Sequence, residues 1–239
     1  MRKLLKKNIL IKRKLPVNFS SNDASIFSNE LERQMPNLYS NSYKNICVNS
    51  DQYLWKKFNF LAETFFRREK RKEEFVSNLK YLIKSFFKKK TKIKNGLWLI
   101  DNWSHGYFHW FGDVLQKYQA LKNHDSILLL PYYYSNLDYV ILSSKYLNIK
   151  LLFIKEKEII KCKKFTIIPT TFISGNFFEN LVSTYATKLQ NSISNPLFKD
   201  KILYLSREQT NRRKVENEFE IINCVKSFGG KILKLEKLT

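Results

Sequence analysis

From residue 96 onward, short apolar runs alternate with stretches patterned as helices, and that alternation narrows the folds open to this chain. Residues 96–100, 126–130 (closed by Pro131), 149–154 and 165–168 read as strands. Residues 104–121, 136–147 and 176–190 between and after them read as helices. Uninterrupted apolar strands separated by helices predict βαβ units and a parallel sheet buried on both faces. Residues 191–200, with Pro196, read as a linker. A second βαβ unit follows: a strand at 201–205, a helix at 215–228, a stop at Gly229-Gly230 and a strand at 231–235. On its own this unit is too small to bury both faces of its strands. It either docks on the preceding domain or begins a longer one.

Upstream the pattern is weaker. Residues 1–60 are rich in Asn and Ser and read as irregular structure with short elements. In residues 62–92, Phe75, Leu79, Leu82, Ile83 and Phe86 recur at helical spacing among Arg67, Arg68, Lys70, Arg71, Lys72 and Lys88 to Lys90. That predicts a basic amphipathic helix. Its apolar stripe packs on the next domain, or its basic face meets anionic lipid headgroups. The expected organisation is therefore an irregular and helical region at 1–95, a Rossmann-like domain at 96–195 and the start of a second domain at 196–239.

Composition sets the outer limits. The 239 residues carry 43 Lys plus Arg against 21 Asp plus Glu, a net charge of +22. An anionic partner fits that charge; so does an AT-rich coding sequence that spreads Lys over solvated faces. Hydrophobic residues make up 44% of the chain, too many for disorder. Cys47, Cys162 and Cys224 form no close pair, which excludes a disulfide framework or Cys-rich zinc module and suits a reducing compartment. The longest apolar runs fall far short of the ~20 residues of a spanning helix. The N-terminus lacks a secretory core, so the expected location is cytoplasmic.

The densest cluster of reactive side chains is Asp101-Asn102-Trp103-Ser104-His105-Gly106-Tyr107-Phe108-His109-Trp110-Phe111-Gly112-Asp113-Val114-Leu115, where the first strand gives way to its helix. In open α/β sheets, ligands bind outside the carboxyl ends of strands. Asn102 or Ser104 would cap the helix. Spacing by four places His105, His109 and Asp113 on one helix face. Three uses remain open: a metal site, which lacks the Glu of His-Glu-x-x-His and any evident further ligand; a hydrogen-bonded structural face; or an acid/base site, with a histidine near neutrality and Asp113 orienting it or serving as the base.

The loop Ser206-Arg207-Glu208-Gln209-Thr210-Asn211-Arg212-Arg213-Lys214 lies between a strand and a helix. It is either a solvated basic loop or a phosphate site, with Arg forks beside a helix N-terminus near Val215. Thr170 to Asn176 either lines the acceptor side of the cleft or is an ordinary turn with a helix cap, the reading preferred here. No Walker loop and no Gly-x-Gly-x-x-Gly occurs. No helix-turn-helix, zinc finger or RNA-binding signature points to specific nucleic-acid recognition.

Asp101-Asn102-Trp103-Ser104-x-Gly106-Tyr107-Phe108-His109-Trp110-x-x-Asp113-x-Leu115 resembles the hallmark of glycosyltransferase family 61 in its bacterial capsular-polysaccharide branch, with Lys117 at the motif's last basic position and Gln116 where the family has Pro. Tyr204-x-Ser206-Arg207, followed by Arg213, Asn217 and Glu218, resembles the family's second motif. The resemblance spans roughly residues 96–239. It implies a GT-B-like architecture of two facing Rossmann-like domains, of which this chain has one and the beginning of the other, C-terminally incomplete. It also implies inverting transfer from a nucleotide-sugar to a glycan acceptor.

In that scheme His109 or Asp113 is the catalytic base, Asn102, Trp103 and His105 bind the acceptor, and Ser206, Arg207 and Arg213 bind the donor diphosphate. No resident cofactor is implied, the nucleotide-sugar being a co-substrate, and the lack of an Asp-x-Asp signature favours metal independence. A peripheral contact with an anionic membrane stays open. The alternatives are a non-catalytic basic protein that binds nucleic acid or anionic membrane through residues 62–92 and 206–214, or an inactive transferase remnant.

Overall fold

The computed structural model describes the chain except for residues 16, 18, 29, 58, 66–82, 84, 86–89, 122–124, 172–174, 193–201, 209–213 and 235–239. Two compact units, Met1–Ser192 and Ile193–Thr239, make up the molecule.

The first unit is built on one eight-stranded sheet. Strands β1 (Arg2–Lys6), β4 (Leu38–Asn49), β5 (Leu54–Lys56), β6 (Asn59–Phe60), β7 (Lys90–Trp98), β8 (Ile127–Pro131), β9 (Leu151–Ile154) and β10 (Ile159–Ile167) pair in the order β6-β5-β4-β10-β7-β8-β9, with β1 also on β4. The pairs β10–β7, β7–β8 and β8–β9 are parallel, and β4 meets β10, β5 and β1 antiparallel. Strands β2 (Ile9–Lys12) and β3 (Glu32–Met35) form a separate antiparallel pair.

The helices cover the parallel half. Helix α1 starts at Tyr107–His109, passes through a π-helical turn at Trp110–Val114 and ends as Leu115–Ala120. Helices α2 (Asp138–Tyr146) and α3 (Glu179–Asn191) follow. Strand β8 is Ile-Leu-Leu-Leu-Pro, and Leu128, Leu129 and Leu130 are fully buried. This is the burial on both faces that its unbroken apolar run requires. Trp110, also fully buried, donates from Nε1 to Ser143 Oγ at 2.9 Å and so pins α1 to α2. Gln116 Oε1 accepts the Phe178 N–H at 3.2 Å at the entry to α3.

This is a mixed α/β fold whose parallel strands are compatible with a Rossmann-like sheet. Two expectations change. Residues 1–60 are not irregular: they supply four strands of the main sheet and the β2–β3 pair, because β4 finds its partner in β10, more than a hundred residues away. Residue 95, the expected edge of the N-terminal region, lies inside β7. The basic amphipathic helix at 62–92 lies largely outside the described residues. At its ends, Ala62–Phe65 is a 3-10 turn, and residues from Lys90 onward are strand. Among the described residues no helix is long and apolar enough to cross a membrane.

The second unit pairs β11 (Leu203–Leu205) in parallel with β12 (Lys231–Leu233) through α4 (Glu218–Ser227). Gly229, at φ +71, ends that helix by adopting the left-handed conformation a side chain resists.

Candidate active site

Strand β7 has β8 on one side and β10 on the other, so the strand order reverses between β7 and β10. In open α/β sheets this is where ligands bind. A small cleft does open there, between Trp98, Ile100, Asp101 and Asn102 at the end of β7 and Ile167 to Thr170 at the end of β10. Gln52, between β4 and β5, and Glu63, in the 3-10 turn after β6, close it. Glu63 Oε1 accepts from Tyr43 Oη at 2.7 Å and from Asn41 Nδ2 at 2.9 Å. Burial, with that hydrogen bond and the carboxylate's charge, pushes the Tyr43 hydroxyl up to about 12.

Beneath the cleft runs a buried polar chain. Lys117 Nζ donates to Thr170 Oγ1 at 2.8 Å, and Thr170 Oγ1 donates to Asp101 Oδ2 at 2.9 Å. Asp101 Oδ1 accepts from the Trp103 N–H and from Ser104 Oγ, each at 3.0 Å, while the Asp101 N–H donates to Ser104 Oγ at 2.9 Å. Burial opposes charge on Asp101. The Lys117 ammonium and the hydrogen bonds from Trp103, Thr170 and Ser104 outweigh it, holding the carboxyl below its ordinary value. The chain folds Asp101 to Ser104 into a tight turn that presents Asn102, half-buried, and Trp103, 56% exposed.

His109 Nδ1 lies 2.8 Å from Asp113 Oδ2. The carboxylate is fully buried, whereas the histidine side chain is 23% exposed. Both sit at the π turn, where the Leu115 N–H reaches back to the Trp110 carbonyl. The widened turn carries Gly112 against Phe177, so close that a Cβ would stand 2.6 Å from Phe177 Cε1. Such turns recur at functional sites because they re-aim side chains without ending a helix. Asp113 also contributes to raising the Tyr185 hydroxyl to about 12, after burial as the larger cause. Trp103 lies tilted 6.0 Å from the His109 ring. Phe108, also exposed, stands edge-on to the same ring at 5.7 Å.

Several expectations change here. His105 does not share a helix face with His109 and Asp113: it lies in the turn before Gly106, the residue that starts α1. It is exposed, with its ring edge-on to Tyr133 at 6.3 Å and its carbonyl accepting from Tyr139 Oη. Neither Asn102 nor Ser104 caps the helix, and Ser104 serves Asp101 instead. Thr170 belongs to the buried network, and Phe178 rather than Asn176 precedes α3. Among the described residues no three His, Cys, Asp or Glu side chains converge as metal ligands. Sequence reasoning assigned no role to Asp101, Lys117, Thr170 and Glu63.

In the second unit, Glu218 Oε1 accepts the Arg207 N–H at 2.6 Å and Tyr204 Oη at 3.1 Å. The Ser206 N–H donates to the Leu233 carbonyl at 2.8 Å. The Arg207 N–H above all holds the Glu218 carboxyl below its ordinary value, with burial opposing and the Ser206 and Tyr204 hydroxyls adding. Glu218 thereby fixes the backbone that carries Ser206 and Arg207. Arg213 lies outside the described residues. The helix begins at Glu218, not near Val215, and its first turn holds Glu218 and Glu220. Those carboxylates already occupy the positive end of the helix.

The first unit thus holds a hollow at the switch point and, on α1, an imidazole paired with a buried carboxylate. The family model for Glycosyltransferase 61 matches residues 107–239, more than half of the chain, and the protein belongs to that family. It is a glycosyltransferase, and its family implies a sugar donor and a glycan acceptor as partners. No curated protein sequence matches the chain.

Proposed function

We propose that the protein transfers a sugar from a nucleotide-sugar to a hydroxyl of a glycan acceptor in the assembly of a capsular or other cell-surface polysaccharide, with inversion at the anomeric carbon. The reading rests on the His109–Asp113 pair. With Nδ1–H donated to the buried carboxylate, Nε2 keeps its lone pair and is the nitrogen read as the base. The acceptor hydroxyl gives its proton to Nε2 as its oxygen bonds to the anomeric carbon. The bond from that carbon to the diphosphate oxygen breaks, and its electron pair stays on the leaving diphosphate. Ser206, Arg207 and Arg213 are read as the groups that bind the donor diphosphate, and the transfer is read as independent of a metal. Asn102, Trp103 and His105 bind the acceptor, Trp103 by stacking on a sugar ring. Helix dipole assistance near Val215 is no longer part of the scheme.

Calorimetry with UDP, GDP, CDP and dTDP at moderate salt tests the donor half. Weak binding of one of them, abolished by Arg207→Ala, is expected; binding that Arg207→Ala leaves unchanged removes the phosphate role. With the cognate donor in hand, His109→Ala should slow turnover by about 10²–10⁴. A loss below about tenfold excludes it as the base.

A further inference from the structure

Lys92 on β7 and Lys161 on β10 are direct partners across a parallel strand pair. Strand alternation places Lys90, Lys92 and Lys94 on one face of β7, and Lys161 and Lys163 on the same face of β10. The opposite face carries Ile93, Ile160 and Cys162 into the core. Like charges facing each other across strands are unfavourable. Among the described residues, no carboxylate pairs with Lys92, Lys94, Lys161 or Lys163. The partner that β4 offers to Lys161 is the neutral Cys47.

At the N-terminal end of this lysine ladder the surface is hollow. Lys56, Lys57, Lys90 and Lys161 rim a cavity floored by Cys47 and Trp55, which pack with Ile159 in a small apolar cluster separate from the main core. Lys57 holds φ at +53, a left-handed conformation unusual for lysine. Burial raises the Cys47 thiol, and the nearby Lys90 and Lys161 charges oppose that rise, so both ammonium groups act on the cavity floor. The hollow lies at the opposite end of β7 from Trp98 and the switch-point cleft, about 26 Å away along the strand.

We propose that this hollow is a second binding site, which takes a phosphate-bearing ligand: a phosphomonoester or diphosphate. Its oxygens engage the ammonium groups of Lys56, Lys57 and Lys161, beside the buried Cys47 and Trp55. Lysines suit this role as mobile point charges that adapt to a tetrahedral anion. Lys92, Lys94 and Lys163 extend the positive potential that draws the ligand in. The site does not depend on the glycosyl-transfer scheme.

The test uses the full chain at constant ionic strength, with thermal unfolding and calorimetry in sodium pyrophosphate and sedimentation with phosphatidylglycerol or phosphatidylcholine vesicles. Pyrophosphate should raise the Tm. Lys161→Gln should remove that rise and weaken binding by at least about tenfold, yet leave the ligand-free Tm equal or higher because a Lys–Lys repulsion is relieved. Arg207→Ala should leave the binding in place. Lys57→Gln, in an exposed turn, repeats the test if Lys161→Gln folds poorly. Capture by phosphatidylglycerol vesicles alone, lost in Lys161→Gln, assigns the same site to a lipid headgroup. Binding to pyrophosphate and vesicles that ignores both substitutions, or no binding to either, overturns the proposal.

Discussion

Lys117 Nζ lies 2.8 Å from Thr170 Oγ1 with neither residue open to solvent, which ties the last part of α1 to the segment after β10. Through Thr170 the ammonium reaches Asp101, and through Asp101 the turn that bears Asn102 and Trp103. A surface lysine would contribute little to stability, but this one compensates a buried charge.

Lys117→Met should therefore destabilise the first unit by about 3–5 kcal/mol, the usual cost of breaking a buried charge pair from one side. Thr170→Val, which removes only the bridging hydroxyl, should cost about 1–3 kcal/mol. Urea unfolding followed by Trp fluorescence would measure both. A Lys117→Met protein as stable as wild type would mean that the ammonium does not compensate Asp101.

The acid limb of stability carries the mark of Asp101. Its carboxyl titrates below the ordinary value when folded. Its stabilising contribution is therefore complete above the unfolded value of about 3.9 and fades as pH falls through the lower folded value. Asp101→Asn should be less stable than wild type at pH 7, and the difference should shrink in acid below about pH 4. Denaturant midpoints at pH 7, 5, 4 and 3 would show the convergence; parallel curves would contradict it.

Asp113→Asn keeps the shape of the buried side chain but offers His109 Nδ1 an amide in place of a carboxylate. The imidazole then loses the group that fixes its tautomer, and turnover should fall by about 10²–10⁴ with the fold intact. The measurement is initial rate with the cognate donor, beside a circular dichroism melt. A rate within about threefold of wild type would reduce Asp113 to packing, being far below what general-base catalysis supplies.

Gly112→Ala tests the π turn. The added methyl would meet Phe177 at 2.6 Å, so α1 or Phe177 must shift, at a cost of about 1–3 kcal/mol. Because His109 and Asp113 flank this position, activity should fall further than the loss of stability explains. Phe177→Ala combined with Gly112→Ala should recover part of it.

Much of the parallel half was legible in the sequence, since a run such as Ile127 to Leu130, closed by Pro131, reads as a strand buried on both faces and Gly229-Gly230 reads as a helix stop. The spacing of His109 and Asp113 was legible for the same local reason. What escaped was set by distant partners. Strand β4 alternates poorly around Asn41 to Asn45, and its register is dictated by Ile159–Ile167, far along the chain. Lys117 stood only as the last basic position of a motif, and its burial depends on what packs over α1. His105 was misplaced because the chain turns at Gly106 before the helix begins. Glu218 stood in a motif whose letters do not say that its carboxylate caps the backbone at Arg207.

The pairing of β4 with β10 has a practical consequence for anyone dividing this chain. The family-matched segment begins at Tyr107, yet the strand edge of β10 is covered on one side by β4 and on the other by β7, both encoded before it. Expression of the matched segment alone would leave both flanks of β10 bare, and unpaired strand flanks invite intermolecular pairing and precipitation. Fragments should start at Met1, even where only the chemistry of the later half is wanted.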